Sequence, residues 1–413
     1  MRFSRRLRTL KLLPAIVAAS LYSPAHAAWE VLPEAQISAE NNDNLRLAPD
    51  NEPNVDSSSR TRLDARVTLS NFNERGNIYF EPRLRADAYA DTIDKELDGT
   101  DTFLRGRGRY SWERVTLGFR SDYDRQDVRD AELTEAAPED PDVEDPFDPD
   151  TGLVSIIEQD RERLILTPYA EFQVSERSSV LLEARLVEVS YTEAQLTGRA
   201  NFEDREFAAG IIRRVDARNE VSARLIFEEY EAEFNQNKTE TVGVEGNFIR
   251  PLGRGWTFNL AAGVSRSDYS FVNSEDQVID NADTSFTYGL GFRQRTERNT
   301  MNFDLLRQTN PNSTGFLTLR DEIRIYVRRA LTERLSGGLA LRNYRTETLD
   351  DVVSNDQRDY TRVELDLEWA LTPRLFLTGG VNLTSQEFQS AGREDATSNA
   401  VFVGFNYRGL SRQ

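Results

Sequence analysis

The sequence predicts an all-β chain: a transmembrane antiparallel β-barrel of about 18 strands, 16 being the alternative, with short periplasmic turns and longer extracellular loops. Three observations predict it. A short phrase ending in arginine returns eight times, the segments between copies alternate apolar and polar residues, and residues 1–27 have the layout of a secretory signal.

The phrase reads Asn73-Glu74-Arg75, Trp112-Glu113-Arg114, Ser175-Glu176-Arg177, Asp216-Ala217-Arg218, Leu252-Gly253-Arg254, Thr296-Glu297-Arg298, Thr332-Glu333-Arg334 and Thr372-Pro373-Arg374. Its arginines fall 39, 63, 41, 36, 44, 36 and 40 residues apart, the length of two strands and a longer loop. That spacing makes each copy a hairpin turn. A propeller has a similar period, so the strand faces must decide between the two folds.

In order, the strands centre near Ala35, Ala65, Leu84, Gly106, Phe119, Leu166, Leu186, Ile211, Leu225, Val244, Leu260, Leu290, Phe303, Ile323, Leu339, Leu365, Val381 and Val403. Their faces keep a period of two, which a helix cannot produce. From Thr361 to Leu371, Val363, Leu365, Leu367 and Trp369 alternate with Arg362, Glu364, Asp366 and Glu368. Leu63, Ala65, Val67 and Leu69 oppose Arg62, Asp64, Arg66 and Thr68 in the same way. A soluble sandwich or propeller would not need charges on the back of nearly every strand, whereas a barrel with a wet interior does. Two segments break the rule. The apolar set changes parity near Leu186 and Val187, which predicts a β-bulge, and Asp321 interrupts its own apolar face. Trp29, Trp112, Trp256, Trp369 and Phe376, all close to turns, are expected in an interfacial girdle. The last strand places Val401, Val403, Phe405 and Tyr407 on one face.

The leader carries Arg2, Arg5, Arg6, Arg8 and Lys11, an apolar stretch from Leu12 to Leu21, and Ala25-His26-Ala27 as a cleavage site. Residues 1–27 are therefore expected to be removed, leaving 28–413 as one barrel domain in the outer membrane of a Gram-negative bacterium. Removal shifts the formal charge from -19 to about -24, because five positive charges leave with it, and it takes away the only histidine. The chain has no cysteine. A chain without His or Cys has no disulfide framework, no ordinary zinc or haem ligand set and no Ser-His or Cys-His nucleophile, so an enzyme is not expected and no cofactor is called for. No run of 18 apolar residues follows the leader, and a mean hydropathy of -0.60 is compatible with a barrel, since only alternate residues meet lipid.

The polar faces carry the candidate pore-lining residues Arg62, Arg66, Arg83, Arg85, Arg105, Arg107, Arg109, Arg120, Arg320, Arg324 and Arg362, with acids such as Asp64, Asp87, Asp122, Glu322 and Glu364 among them. Two readings stand side by side. One is a ladder of cross-strand ion pairs that stiffens a wet lumen; the other is a charged pore in which arginine's planar fork meets carboxylate or phosphate groups, with Arg105, Arg107 and Arg109 as the row to examine. Between the fifth and sixth strands lies an acidic loop with Glu139, Asp140, Asp142, Glu144, Asp145, Asp148 and Asp150. Proline and like charges keep such a segment extended. It is read as a solvated surface loop, an acidic constriction facing the arginines, or a divalent-cation site bridging to lipopolysaccharide.

The phrase Ile37 to Leu45 with Asn41-Asn42-Asp43-Asn44, the Thr-Glu-Arg and Thr-Pro-Arg turns and the final Gly404-Phe405-Asn406-Tyr407 resemble the β-barrel porin type 2 group, and outer-membrane barrels of PEP-CTERM and exopolysaccharide systems. The resemblance implies an outer-membrane protein tied to surface polysaccharide. The arginine-lined interior is similar in plan to the alginate exporter, from which the many interior acids depart. The expected activity is a passive porin-like conduit for exopolysaccharide or small ionic solutes, with a structural or adhesive barrel of blocked lumen as the alternative. Expected partners are outer-membrane lipid and lipopolysaccharide, the barrel assembly machinery and polysaccharide export components, and not nucleic acid.

Overall fold

In the computed structural model, the described residues are 29–45, 47–48, 57–90, 98–132, 159–192, 194, 199–233, 237–272, 278–312, 315–348, 358–388 and 395–409. The expected leader and the acidic stretch from Glu139 to Asp150 lie outside them. In chain order the strands are β1 (Glu30–Asn42), β2 (Ser58–Asn73), β3 (Gly76–Tyr89), β4 (Gly99–Ser111), β5 (Val115–Asp127), β6 (Asp160–Ser175), β7 (Ser178–Tyr191), β8 (Phe202–Arg214) and β9 (Glu220–Ala232). There follow β10 (Asn237–Gly253), β11 (Trp256–Val272), β12 (Val278–Arg295), β13 (Asn299–Pro311), β14 (Leu317–Ala330), β15 (Leu335–Thr348), β16 (Arg358–Ala370), β17 (Leu375–Phe388) and β18 (Ala396–Arg408). One helical turn, α1 (Val128–Glu132), follows β5.

Each strand pairs antiparallel with its sequence neighbours, and β1 pairs with β18, so 18 strands close on themselves. Closure leaves no unpaired edge. Every predicted strand centre falls within a strand, and each copy of the repeated phrase joins an even-numbered strand to the next, from β2–β3 to β16–β17.

The turn chemistry explains the phrase. In six copies the first residue carries a side-chain oxygen, and where it is Asn73, Oδ1 accepts from the N–H groups of Arg75 and Gly76 at 2.9 Å each, while the Trp112 turn is closed by its backbone N–H on the Val115 carbonyl. Thr332 and Thr372 do the same with Oγ1, for Arg334 and Leu335 and for Arg374 and Leu375. Short polar side chains that bond two residues ahead stabilise tight turns. Leu252-Gly253-Arg254 lacks such an oxygen and turns instead through positive φ at Gly253, Arg254 and Gly255. The arginine's backbone has its own task. The carbonyls of Arg75, Arg114, Arg177, Arg298, Arg334 and Arg374 accept from Ser111, Gln173, Arg214, Ala330, Ala370 and Arg408 at 2.7–2.9 Å, so neighbouring hairpins interlock along the short-turn rim.

Register lines up the outward apolar residues. Phe258, Phe292, Phe303, Ile325, Leu341, Val363 and Leu383 are successive partners across β11 to β17. Phe258 and Phe292 sit 5.0 Å apart by ring centroid. Above this band, towards the long loops, the outer wall turns ionic: Arg345 pairs with Asp359, Arg307 with Asp321, and Lys238 with Glu229 and Glu240. Asp321 interrupts its apolar face because the band ends there. Near the short turns Trp29, Trp112 and Trp369 are exposed, and Trp256 shares the outward face of Phe258 and Leu260. Phe376 does not join them. It stands one residue out of phase with the outward Leu375 and Leu377, and Arg408 lies over its ring at 4.4 Å, inside the barrel.

The expected bulge near Leu186 and Val187 is also absent. Leu186 pairs with Leu166 and Arg205, and Val187 with Ile165 and Asp204, in unbroken register. Parity changes there because the inward face becomes apolar: Val187, Val189 and Tyr191 enter a buried cluster with Val128, Ile165, Phe202 and Tyr230.

The asparagine-rich phrase after β1 closes the seam. Asp43 accepts from the Asn399 backbone N–H at 2.6 Å and from its side-chain amide at 2.8 Å. Asn42 Oδ1 accepts from Ser398 Oγ at 2.9 Å, and Asn44 donates to the Thr397 carbonyl at 2.9 Å. Beyond the last ladder pair, Asn42 with Ala400, these bonds extend the joint between the first and last strands.

Candidate functional site

The eleven candidate arginines all lie on the inward faces of their strands, opposite the exposed apolar rows. The structure divides them among clusters. On β2 and β3, Arg62 bonds Asp87 through Nε at 2.7 Å, Arg83 bonds Asp64 at 2.9 Å, and Arg85 lies 3.6 Å from Asp64. Arg66 pairs with Glu34 at 2.5 Å. Arg105 reaches Asp122 at 3.5 Å, Arg107 lies over the Tyr79 ring at 5.7 Å, and Arg120 is 3.7 Å from Glu183. Arg109 is exposed at the short-turn end of the same row. On β14 to β16, Glu322 accepts from Arg324 and Arg342 at 2.5 Å and lies 3.3 Å from Arg320, while Arg362 pairs with Glu364 at 2.6 Å.

Ion pairs alone would favour alternating signs across the sheet. The register shows both arrangements: Arg62 faces Asp87, Glu34 faces Arg66 and Arg105 faces Asp122, whereas Arg324 faces Arg342, which faces Arg362. Arg107 faces Arg120, and Arg66 faces Arg83. Like charges directly opposite each other are destabilising, and acids one step along the strands offset them, as Glu322 does for Arg324 and Arg342 and Glu364 for Arg362. On the inward faces of the described strands the acids show one such pair, Glu206 facing Glu228, with Arg185 3.0 Å from Glu206 and 3.9 Å from Glu228.

Several lumenal residues went unread in the sequence. Asp130, on α1, reaches across from the end of β5 to β2 and β3, where it pairs with Arg60 at 3.3 Å, with Arg62, and with Arg85 at 4.0 Å. Val128 N–H bonds the Gln159 carbonyl at 2.8 Å, and both residues are buried. Beside Asp130 lies a polar cavity of about 60 Å³, lined by Glu40, Asn42, Arg60, Arg62 and Arg85 among others. That is room for a few waters or one small solute. Oxygens of Asp87, Asp101 and Asp130 gather within 4.8 Å. The adjacent arginines already neutralise two of these acids and would oppose a cation.

Near the long loops the inward faces of β14 to β17 carry a packed cluster. Tyr344 and Tyr360 stack at 4.9 Å, Arg320 lies 3.9 Å over Tyr344, and Arg358 bonds Gln386 at 2.7 Å. Arg320, Tyr360 and Tyr230 are 0% exposed. The signal for this layer was in the sequence: tyrosines on the polar face of β15 and β16, and the parity change in β7.

No protein-family model and no curated protein matches the chain. Among solved structures it is similar to Pseudomonas aeruginosa OccK2 (OpdF), at 11% identity and a TM-score of 0.45, over 92% of this chain and 98% of that one. It is also similar to the outer membrane protein opdK of Pseudomonas aeruginosa (9% identity, TM-score 0.43, 92% and 99% covered). A third is Acinetobacter baumannii OccAB2 (8% identity, TM-score 0.44, 93% and 98% covered).

Proposed function

We propose that this barrel sits in the outer membrane, short turns towards the periplasm, as a passive conduit for small ionic solutes, with anions favoured. The observation that carries the reading is the run Arg324–Arg342–Arg362, supported by Arg107–Arg120. A lumen that only needed stiffness would place opposite signs directly across the ladder at these sites, where Arg324, Arg342 and Arg362 meet Glu322 and Glu364 only along or diagonal to the strands. The apolar band outside and the ionic face inside match what a bilayer and a water path demand of alternate residues. The packed clusters of Tyr344 and Tyr360 and of Phe202 and Tyr230 near the long loops favour small solutes over an exopolysaccharide chain.

A blocked, structural barrel is the second reading, favoured by the complete burial of Arg320, Tyr230 and Tyr360. Reversal potentials across planar bilayers separate the two. The expected result is a steady current with anion permeability above cation permeability, reduced when Arg105, Arg107 and Arg109 are changed to glutamine. Current without charge preference in either protein would leave the arginines as ion-pair partners only.

A further inference from the structure

Most copies of the repeated phrase use their first residue for its capping oxygen, as Asn73 does, and six use the third for its backbone carbonyl. Any residue supplies a carbonyl. Yet arginine fills the third position in all eight copies, and Arg75, Arg114, Arg177, Arg218, Arg254, Arg298, Arg334 and Arg374 are all exposed. No hydrogen bond or ion pair of the described structure engages their guanidinium groups, in contrast to the lumenal arginines. Just inward from this rim the outer wall exposes Trp29, Phe72, Tyr110, Trp112, Phe172 and Trp369.

We propose that the eight turn arginines form a collar that binds lipid phosphate groups at the short-turn rim, with a preference for anionic glycerophospholipid. The guanidinium fork matches phosphate oxygens in a way that a lysine collar would not. Exposed aromatic rings settle at head-group depth, which places the adjoining turns level with the phosphates. Six of the eight turns interlock through the arginine carbonyl, which fixes the backbone from which those side chains project. Glu74, Glu113, Glu176, Asp216, Glu297 and Glu333 temper the charge but are fewer than the arginines. Each arginine near an anionic surface is worth on the order of fivefold in lipid affinity. The proposal rests on the membrane reading above and extends it to one leaflet's lipid.

The test refolds the full chain into phosphatidylcholine vesicles carrying a trace of dansyl-labelled phosphatidylglycerol or dansyl-labelled phosphatidylcholine. Energy transfer from Trp112 and Trp369 then reports lipid at the rim. At least fivefold enrichment of phosphatidylglycerol is expected, collapsing at 1 M salt, where the Debye length is about 3 Å, and in a variant with all eight arginines changed to glutamine. Should that variant fail to insert, changing only Arg75, Arg177, Arg254 and Arg334 is expected to weaken the enrichment without abolishing it. Equal transfer from both lipids in the unaltered chain, or enrichment untouched by the substitutions, overturns the collar alone. A chain that never enters vesicles overturns the membrane reading and the collar together.

Discussion

Glu322 stands among Arg320, Arg324 and Arg342 with none of its side chain exposed. Removing one partner from a buried ionic cluster leaves charge uncompensated, so Glu322→Gln is expected to cost roughly 3–5 kcal/mol. Heat-dependent gel mobility in detergent checks this, and an unchanged transition would show that water reaches the cluster. At the rim, Asp216 accepts from the Arg218 N–H at 2.7 Å and from the side chain and N–H of Asn219. These bonds, that of Arg218 first, hold its carboxyl below the ordinary aspartate range. A lowered value means the turn's extra stability is present above the ordinary aspartate range and is lost as pH falls through the lowered one. A carbon-13 titration of Asp216 should show that lowered midpoint; a midpoint at or above that of a free aspartate contradicts the capping geometry.

Among the elements, the β1–β18 seam and α1 make separable claims. Asp43→Ala removes two bonds to Asn399 and is expected to lower stability by about 1–3 kcal/mol, read as an earlier heat-modified band, with conductance unchanged. Asp130→Asn weakens the hold of Arg60 and Arg62 on α1 and is expected to raise single-channel conductance; an unaltered conductance would mean α1 stands clear of the path. Strand positions and turn sites were legible beforehand because a period of two and a capping residue are local properties. The inward step of Val187, Val189 and Tyr191 was visible as a parity change but not interpretable, since a bulge and an apolar lumen wall leave the same trace in one strand. Only the unbroken pairing with Ile165 and Asp204 distinguishes them. Phe376 was misplaced for a simpler reason: nearness to a turn outweighed its phase against Leu375 and Leu377.

For the molecule as a whole, the arrangement is an inversion of a soluble protein, with apolar rows outside and ionic rows within. Which arginines would line the barrel was readable from phase alone. Which of them would stand opposite one another was not, because that depends on register between strands far apart in sequence, as with Arg324, Arg342 and Arg362. Asp130 carries no signal in the sequence because its strand has ended and no periodicity marks a residue that reaches past β4 to β2 and β3. The most direct measurement of the central claim is the current through the refolded full-length chain in a planar bilayer. Discrete, steady conductance steps with anion preference are expected; a bilayer that stays silent after verified insertion would contradict a water path through the barrel.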